Sequence, residues 1–255
     1  MPEPLILLTN DDGVNAPGLE MARRALEGLG RVVVVAPVEE RSGASHSLSL
    51  THPVRIEHIE ADRYATTGTP VDCVILGFRK ILERFPDLVV SGINHGANLG
   101  EDVLYSGTVA AAREAALHEI PSFAVSMLGK QENDFERASW ILRRLVESLW
   151  SRVERGTFLN INIPEGEPDE YRFTRQGSRR VTSEIAEKTD LRGRTYYWIG
   201  PDQSQWMITP DSDYEAILGG RVSITPLQLV QTDYQKLTEL QQLKLDVLDP
   251  LGSSK

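Results

Sequence analysis

The sequence predicts an α/β fold built on a doubly wound, mostly parallel sheet, and three observations carry that reading. Short apolar runs rich in β-branched residues, at residues 5–8, 32–36 and 88–91, alternate with segments whose apolar residues recur at helical spacing. Each of these runs ends in polar, turn-forming residues, as strands do at the ligand-binding rim of an open α/β sheet. After Pro164 the alternation stops and short strand-like pieces take over, which marks a second kind of structure.

Leu5, Ile6, Leu7 and Leu8 read as a strand buried on both faces, and they run into Asn10, Asp11, Asp12 and Gly13 without a spacer. Gly13 permits a sharp turn, and Pro17 can start a helix. Residues 17–29 carry Leu19, Ala22, Leu26 and Leu29 at helical spacing, with Gly28 and Gly30 to close it. Residues 32–36 form the next strand, ended by Pro37, which completes a right-handed βαβ unit. A hydroxyl-rich polar loop covers residues 39–49. Weak alternation of Val54, Ile56, Ile59 and Tyr64 predicts a small hairpin inserted beside the main sheet.

Pro70 then opens a helix that runs through Cys73, Ile75, Leu76, Phe78 and Leu82. Residues 88–91 form a third parallel strand, whose end delivers Asn94, His95 and Asn98. An alanine-rich helix over 109–118, a strand over 120–126, a long amphipathic helix over 135–153 and a strand over 158–163 complete a core at residues 1–163. Residues 164–255 read as a β-rich extension, with strand-like pieces at 171–174, 195–199 and 222–224 and no clear helix among them. Such an extension is suited to pairing with another subunit. A short, mostly polar helix falls within 227–243, and residues 252–255 read as a frayed end.

A chain of 255 residues can bury one sizeable core with an extension, rather than several domains. Its net charge of -10 argues against a binder of nucleic-acid polymers, which needs a basic face. No apolar run approaches the roughly 20 residues that span a bilayer. Cys73 is the single cysteine, so an intrachain disulfide and a cysteine-based zinc site are excluded. Its place inside an amphipathic helix makes it core. Met1 to Pro4 lead straight into the first strand, leaving no room for a signal peptide, and the expected location is the cytoplasm.

Two adjacent carboxylates at the end of a buried strand repel one another, and burial raises that cost. A cation relieves it, and oxygen ligands of this kind suit Mg²⁺, Mn²⁺ or Ca²⁺. In a parallel sheet the strand ends share one rim, so distant loops become neighbours. Asp11 and Asp12 would supply charge there, and Ser42 and Asn94 neutral oxygens, which makes a hard, oxygen-only cation site. Ser106, Gly107 and Thr108 precede a helix, whose free N–H groups and dipole favour an anion. A cation on one side and an N–H cradle on the other suit a phosphate monoester. Competing chemistries fail: there is no G-x-S-x-G elbow, no P-loop and no G-x-G-x-x-G turn. His46 and His95 fall in rim loops and read as solvent-facing side chains, each with a proton to donate.

Asn10 to Gly13, Ala36-Pro37, Arg41 to Gly43, Gly68 to Cys73, Ser91 to Asn94 and Tyr105 to Thr108, in this order, resemble the SurE family of metal-dependent nucleotidases. Asn160 to Pro164 and Val222 to Leu227 resemble later segments of the same family. The resemblance implies a Rossmann-like three-layer core and a C-terminal β extension exchanged between subunits of a homodimer or homotetramer. It implies hydrolysis of nucleoside 5′- and 3′-monophosphates, with short polyphosphate as a further substrate. It places one divalent cation per subunit, Mg²⁺ or Mn²⁺, on Asp11, Asp12, Ser42 and Asn94. Asn98, Ser106, Gly107 and Thr108 are then the phosphate contacts, and Asp11, Asp12, Asn98 and Ser106 the expected catalytic set. The chain departs from the family pattern at residues 113–116 and 211–221. The rival from another class is a nucleotide-binding or sensing module with incidental hydrolysis.

Overall fold

The computed structural model describes residues 3–129, 132–180, 183–202 and 205–243; the expected frayed end, residues 252–255, lies outside them. In chain order the first half contains β1 (Leu5–Thr9), α1 (Pro17–Leu26), β2 (Arg31–Pro37), β3 (Ile56–Glu60), β4 (Arg63–Thr66), α2 (Pro70–Leu76), β5 (Leu88–His95) and α3 (Gly107–Leu117). Then come β6 (Ser122–Met127), α4 (Glu132–Leu149), β7 (Phe158–Ile163) and β8 (Tyr171–Phe173). β9 (Ser178–Arg180), β10 (Ser183–Thr189), β11 (Thr195–Asp202), β12 (Gln205–Met207), α5 (Asp213–Leu218), β13 (Val222–Leu227) and α6 (Tyr234–Gln241) follow.

Nine strands make the main sheet in the order β3-β4-β2-β1-β5-β6-β7-β13-β8. The six from β4 to β7 are mutually parallel. The chain moves outward from β1 to β2, then crosses back to β5 on the other side of β1. The β1/β5 boundary is therefore the switch point at which open α/β sheets leave a crevice. Residues of β1 alternate between two cores. Ile6 and Leu8 join the buried cluster of Leu19, Leu26 and Leu142, from α1 and α4. Leu5 and Leu7 join Cys73, Val74, Ala111 and Ala115, from α2 and α3. This is the expected three-layer arrangement, and Cys73 is core as expected, fully buried and with its thiol pushed up to about 12 by burial.

Several boundaries differ from the sequence reading, each for a local reason. The hairpin expected beside the main sheet is part of it: β3 and β4 pair antiparallel, and β4 extends the sheet by pairing parallel to β2. Buried Ala65 and Thr66 give β4 the inward face that weak alternation concealed. α1 stops at Leu26, and Gly28 turns at φ +80°. The helix expected through Leu82 becomes a π-helical turn at Gly77–Ile81, and α4 gives way to a 3-10 turn at Trp150–Arg152.

β5 runs on past Ser91 to His95 with a register shift, because Gly92 sits where a Cβ would lie 2.2 Å from the Val125 carbonyl oxygen. α5 lies where no helix was expected; six residues capped by Ser212 are too short to display a period. β8 and β13 come from the segment assigned to the extension, yet they continue the main sheet beyond β7. The sheet thus crosses the division at residues 163 and 164. The rest of the extension forms two separate antiparallel pairs, β9 with β12 and β10 with β11.

Close approach of α1 to the end of β5 depends on Gly18, where a Cβ would lie 2.0 Å from the Ile93 carbonyl oxygen and 2.7 Å from the Phe135 ring. Gly18→Ala is expected to destabilise the fold by about 1–3 kcal/mol, as overpacking of a filled interior does. Urea unfolding followed by circular dichroism measures it, and an unchanged midpoint contradicts this packing.

Candidate active site

At the switch point, the carboxyl ends of β1 and β5 and the N-terminus of α3 border a cleft of about 300 Å³. Asp11, Ser42, Asn94, Asn98 and Ser106 all line it, so residues from four sequence-distant loops meet as expected. His95, Asp102 and Tyr105 complete much of its wall. Asp12 is half-buried beside Asp11 and accepts a hydrogen bond from the His95 backbone N–H.

Asp11 is nearly enclosed, only 4% exposed. Burial raises its pKa, while the hydroxyl of Thr108 and the backbone N–H groups of Thr108 and Gly107 donate to it and pull the other way. This corrects part of the expected phosphate cradle. Thr108 is fully buried, and with Gly107 it turns its donors onto the carboxylate of Asp11. The helix N-terminus does bind an anion there, and that anion is a side chain of the protein. Gly107 must be small because a Cβ would lie 2.9 Å from both Cβ and Oδ2 of Asp11. Ser106, by contrast, stays at the cleft wall; its Oγ accepts from the Val109 N–H at 3.1 Å, which leaves its own proton to donate.

Asp12 is pushed up to about 7, first by burial and then by the charge of Asp11, with Glu40 adding to the effect. No Lys or Arg is ion-paired to Asp11 or Asp12 among the described residues. Their donor set fits a hard divalent cation: two adjacent carboxylates with no cationic side chain paired to them, a hydroxyl and an amide. Asn94 Nδ2 donates to the Gly96 carbonyl at 2.7 Å, which leaves its amide oxygen as the donor toward a cation. Ser42 Oγ donates to Glu40 at 2.7 Å and retains lone pairs. Among the described residues no three His, Cys, Asp or Glu side chains converge as a metal site, so any cation here relies on neutral oxygens beside the acid pair.

Asn98 is held by a network that the sequence reading missed. Its backbone N–H donates to Asn162 Oδ1 at 2.8 Å, and its carbonyl accepts from Asn160 Nδ2 at 2.7 Å and Asn162 Nδ2 at 3.1 Å. Its side chain donates to Ser126 Oγ at 2.7 Å. Both strand asparagines are fully buried. The available signal was two amides alternating within the otherwise apolar strand at residues 158–163, each of which must find a partner.

A second missed group is Glu114, buried on α3 between His46 at 2.9 Å and His118 at 3.3 Å. His46 is therefore not the solvent-facing loop side chain expected. It fastens the loop that carries Ser42, while His95 is the rim histidine that lines the cleft. A third is Asp213, buried on α5, whose carboxylate accepts from the N–H groups of Gly100, Gly177 and Tyr214. It ties the 3-10 helix at Gly100–Leu104, which carries Asp102, to the base of the extension.

Comparison with known proteins gives the chain its relatives. The family model described as "Survival protein SurE" matches residues 6–183. A protein of Pelobacter propionicus called "5'-nucleotidase SurE" is 46% identical over 237 residues, covering 91% of this chain and 96% of its own length. One of the same name from Aquifex aeolicus is 42% identical over 247 residues, covering 94% and 98%. The crystal structure of the Aquifex aeolicus SurE protein superposes with a TM-score of 0.82 at 43% identity, covering 93% of this chain and 98% of that one.

A carboxyl group whose pKa is raised on folding makes the folded state bind more protons than the unfolded one. Stability without metal therefore falls as pH rises from the ordinary 3.8 through about 7. In EDTA at pH 8, Asp12→Asn is expected to stabilise the fold by about 1–2 kcal/mol, discounted for the open side of the cleft. It also flattens the pH dependence. Thermal unfolding of both proteins from pH 4 to 8 measures this, and a less stable variant at pH 8 contradicts it.

Proposed function

Because the chain belongs to the SurE family, we propose that it is a 5′-nucleotidase, a phosphatase that hydrolyses nucleoside 5′-monophosphates to nucleoside and phosphate. The observation that carries the reading is the acid pair with no cationic side chain paired to it, Asp11 on the wall of a cleft and Asp12 beside it, with neutral donors opposite. A bare carboxylate pair repels a phosphate dianion, so the site makes chemical sense with a cation between them. Nucleoside 3′-monophosphates and short polyphosphate present the same terminal group and are further substrates in this reading.

Asp11, Asp12, Ser42 Oγ and Asn94 Oδ1 would hold one divalent cation per subunit, Mg²⁺ or Mn²⁺, and such a cation would supply positive charge to the phosphate and Lewis acidity to the ester. The chain's own groups do the rest. Ser106 donates its hydroxyl proton, and Asn98 its second amide proton, to non-bridging phosphate oxygens. Asn160 and Asn162 hold the Asn98 backbone on both sides, so that donor does not have to be ordered when substrate binds. Thr108 and Gly107 hold Asp11 in one orientation and favour its charged form. Their role is to position the carboxylate rather than to touch the substrate.

Residues 1–163 supply these groups, and we assign residues 164–255 chiefly to assembly. On the β10–β11 hairpin Ile185, Tyr197, Trp198 and Ile199 are all exposed, an apolar surface suited to a second copy of the chain. Sedimentation is expected to give a dimer or tetramer, and Trp198→Asp to shift it toward monomer; a monomeric native protein contradicts the assignment.

Phosphate release from a panel of 5′- and 3′-nucleoside monophosphates, with Mg²⁺, Mn²⁺ or EDTA, tests the activity. Release is expected to require the metal and to fall at least about a hundredfold in Asp11→Asn, the scale set by losing one charged group of a metal site. Turnover that survives both EDTA and the substitution overturns the mechanism. Metal-dependent nucleotide binding without release from any ester favours a sensing module instead.

A further inference from the structure

The 3-10 helix at Gly100–Leu104 has two concavities against it. Asp102 lines the candidate active site, whereas Val103 and Leu104 line a second cavity of about 530 Å³, within the range of small-molecule sites. Leu104, Leu227 and Val230 give that second cavity an accessible apolar wall, and Arg113 and Arg175 give it two guanidinium groups. No Asp or Glu lines it, in a chain with 37 acidic against 27 basic side chains.

Arg113 is the anomaly. It is half-buried on α3, and its guanidinium lies over the Phe158 ring at 5.9 Å from the centroid. Its hydrogen bond to the Val103 carbonyl is long, at 3.5 Å. Burial lowers its pKa, and no carboxylate among the described residues offsets that effect. Arg31, Arg63 and Arg143, by contrast, each rest on an acid of this chain. A buried cation left without an anion is costly, and an Arg fork is preorganised for two parallel bonds to an oxyanion. Arg175 is only partly committed: Nε and Nη2 both donate to the Pro210 carbonyl.

We infer that this cavity binds a small organic anion, its oxyanion head paired with Arg113 and its flat apolar body against the exposed Leu104 and Val230 and the partly buried Leu227. The buried ring of Phe158 backs the Arg113 guanidinium and holds its plane toward the cavity. The site is separate from the acid pair, and the inference does not depend on hydrolysis.

The test uses the full-length protein with two probes of one shape, 2-naphthoate and the neutral 2-naphthamide. Binding is followed by calorimetry and by amide chemical shifts. 2-Naphthoate is expected to bind at least tenfold more tightly than the amide and to move the signals of Val103, Leu104, Phe158 and Leu227. Arg113→Met is expected to lose at least tenfold in affinity for 2-naphthoate, Arg113→Lys less, and Asp12→Asn nothing. Equal binding of the two probes overturns the inference, as do undiminished affinity in folded Arg113→Met and shifts confined to Asn98, Tyr105 or the β10–β11 hairpin. Should Arg113→Met not fold, the comparison of the two probes on the native protein decides the matter alone.

Discussion

The cost of placing two carboxylates side by side at the end of the central strand governs the rest of this molecule. Asp11 leaves β1 almost wholly enclosed and Asp12 follows it without a spacer, so burial raises the preference of Asp11 for a proton, and burial together with the charge of Asp11 raises that of Asp12. The fold offsets the inner charge with the positive end of α3. The Thr108 hydroxyl and two backbone N–H groups of that helix are aimed at Asp11, and Gly107 is bare so that they can approach. The outer charge is left for a cation. The N-terminus of α3 is thereby taken up by the Asp11 carboxylate, and the remaining groups facing the cleft are mostly neutral donors.

Those neutral donors need a rigid support, because a flexible amide gives up binding energy to ordering. Strand β7 provides it. Asn160 and Asn162 stand on one buried face and grip the backbone of Asn98 through both its N–H and its carbonyl. Burying two amides in a strand is costly unless each is bonded. Here the bonds made by both Nδ2 groups and by Asn162 Oδ1 also fix the loop, whereas Asn160 Oδ1 has no partner among the described residues. The His46–Glu114 pair does the comparable service for the loop of Ser42, and Asp213 for the 3-10 helix beside the cleft. Groups that look structural are thus arranged around the reacting position, one layer behind it.

The 3-10 helix links the two halves of the chain. It lines both the candidate active site and the cavity of Arg113, and it is held from behind by a carboxylate that also grips the base of the extension. The extension is therefore more than an appendage. Two of its strands continue the main sheet, and its helix α5 supports the catalytic rim.

By itself the sequence determined the strand-helix alternation, the parallel core, the acid pair at a strand end and the set of loops that share the rim. Each of these follows from residues adjacent in the chain: apolar runs with period 2 or 3.6, a glycine or proline at a turn, and the rule that parallel strands end on one side. Tertiary structure alone decided how the donors are shared out. Nothing local says that Thr108 serves Asp11 rather than substrate, or that His46 turns away from the cleft onto Glu114. Nothing local says that a carboxylate at residue 213 bonds the backbone of Gly100, 113 residues away. Short elements such as α5, and the membership of β4 and β13 in the main sheet, escaped for the same reason. Their stability comes from partners distant in sequence, and local pattern carries no information about distance in space.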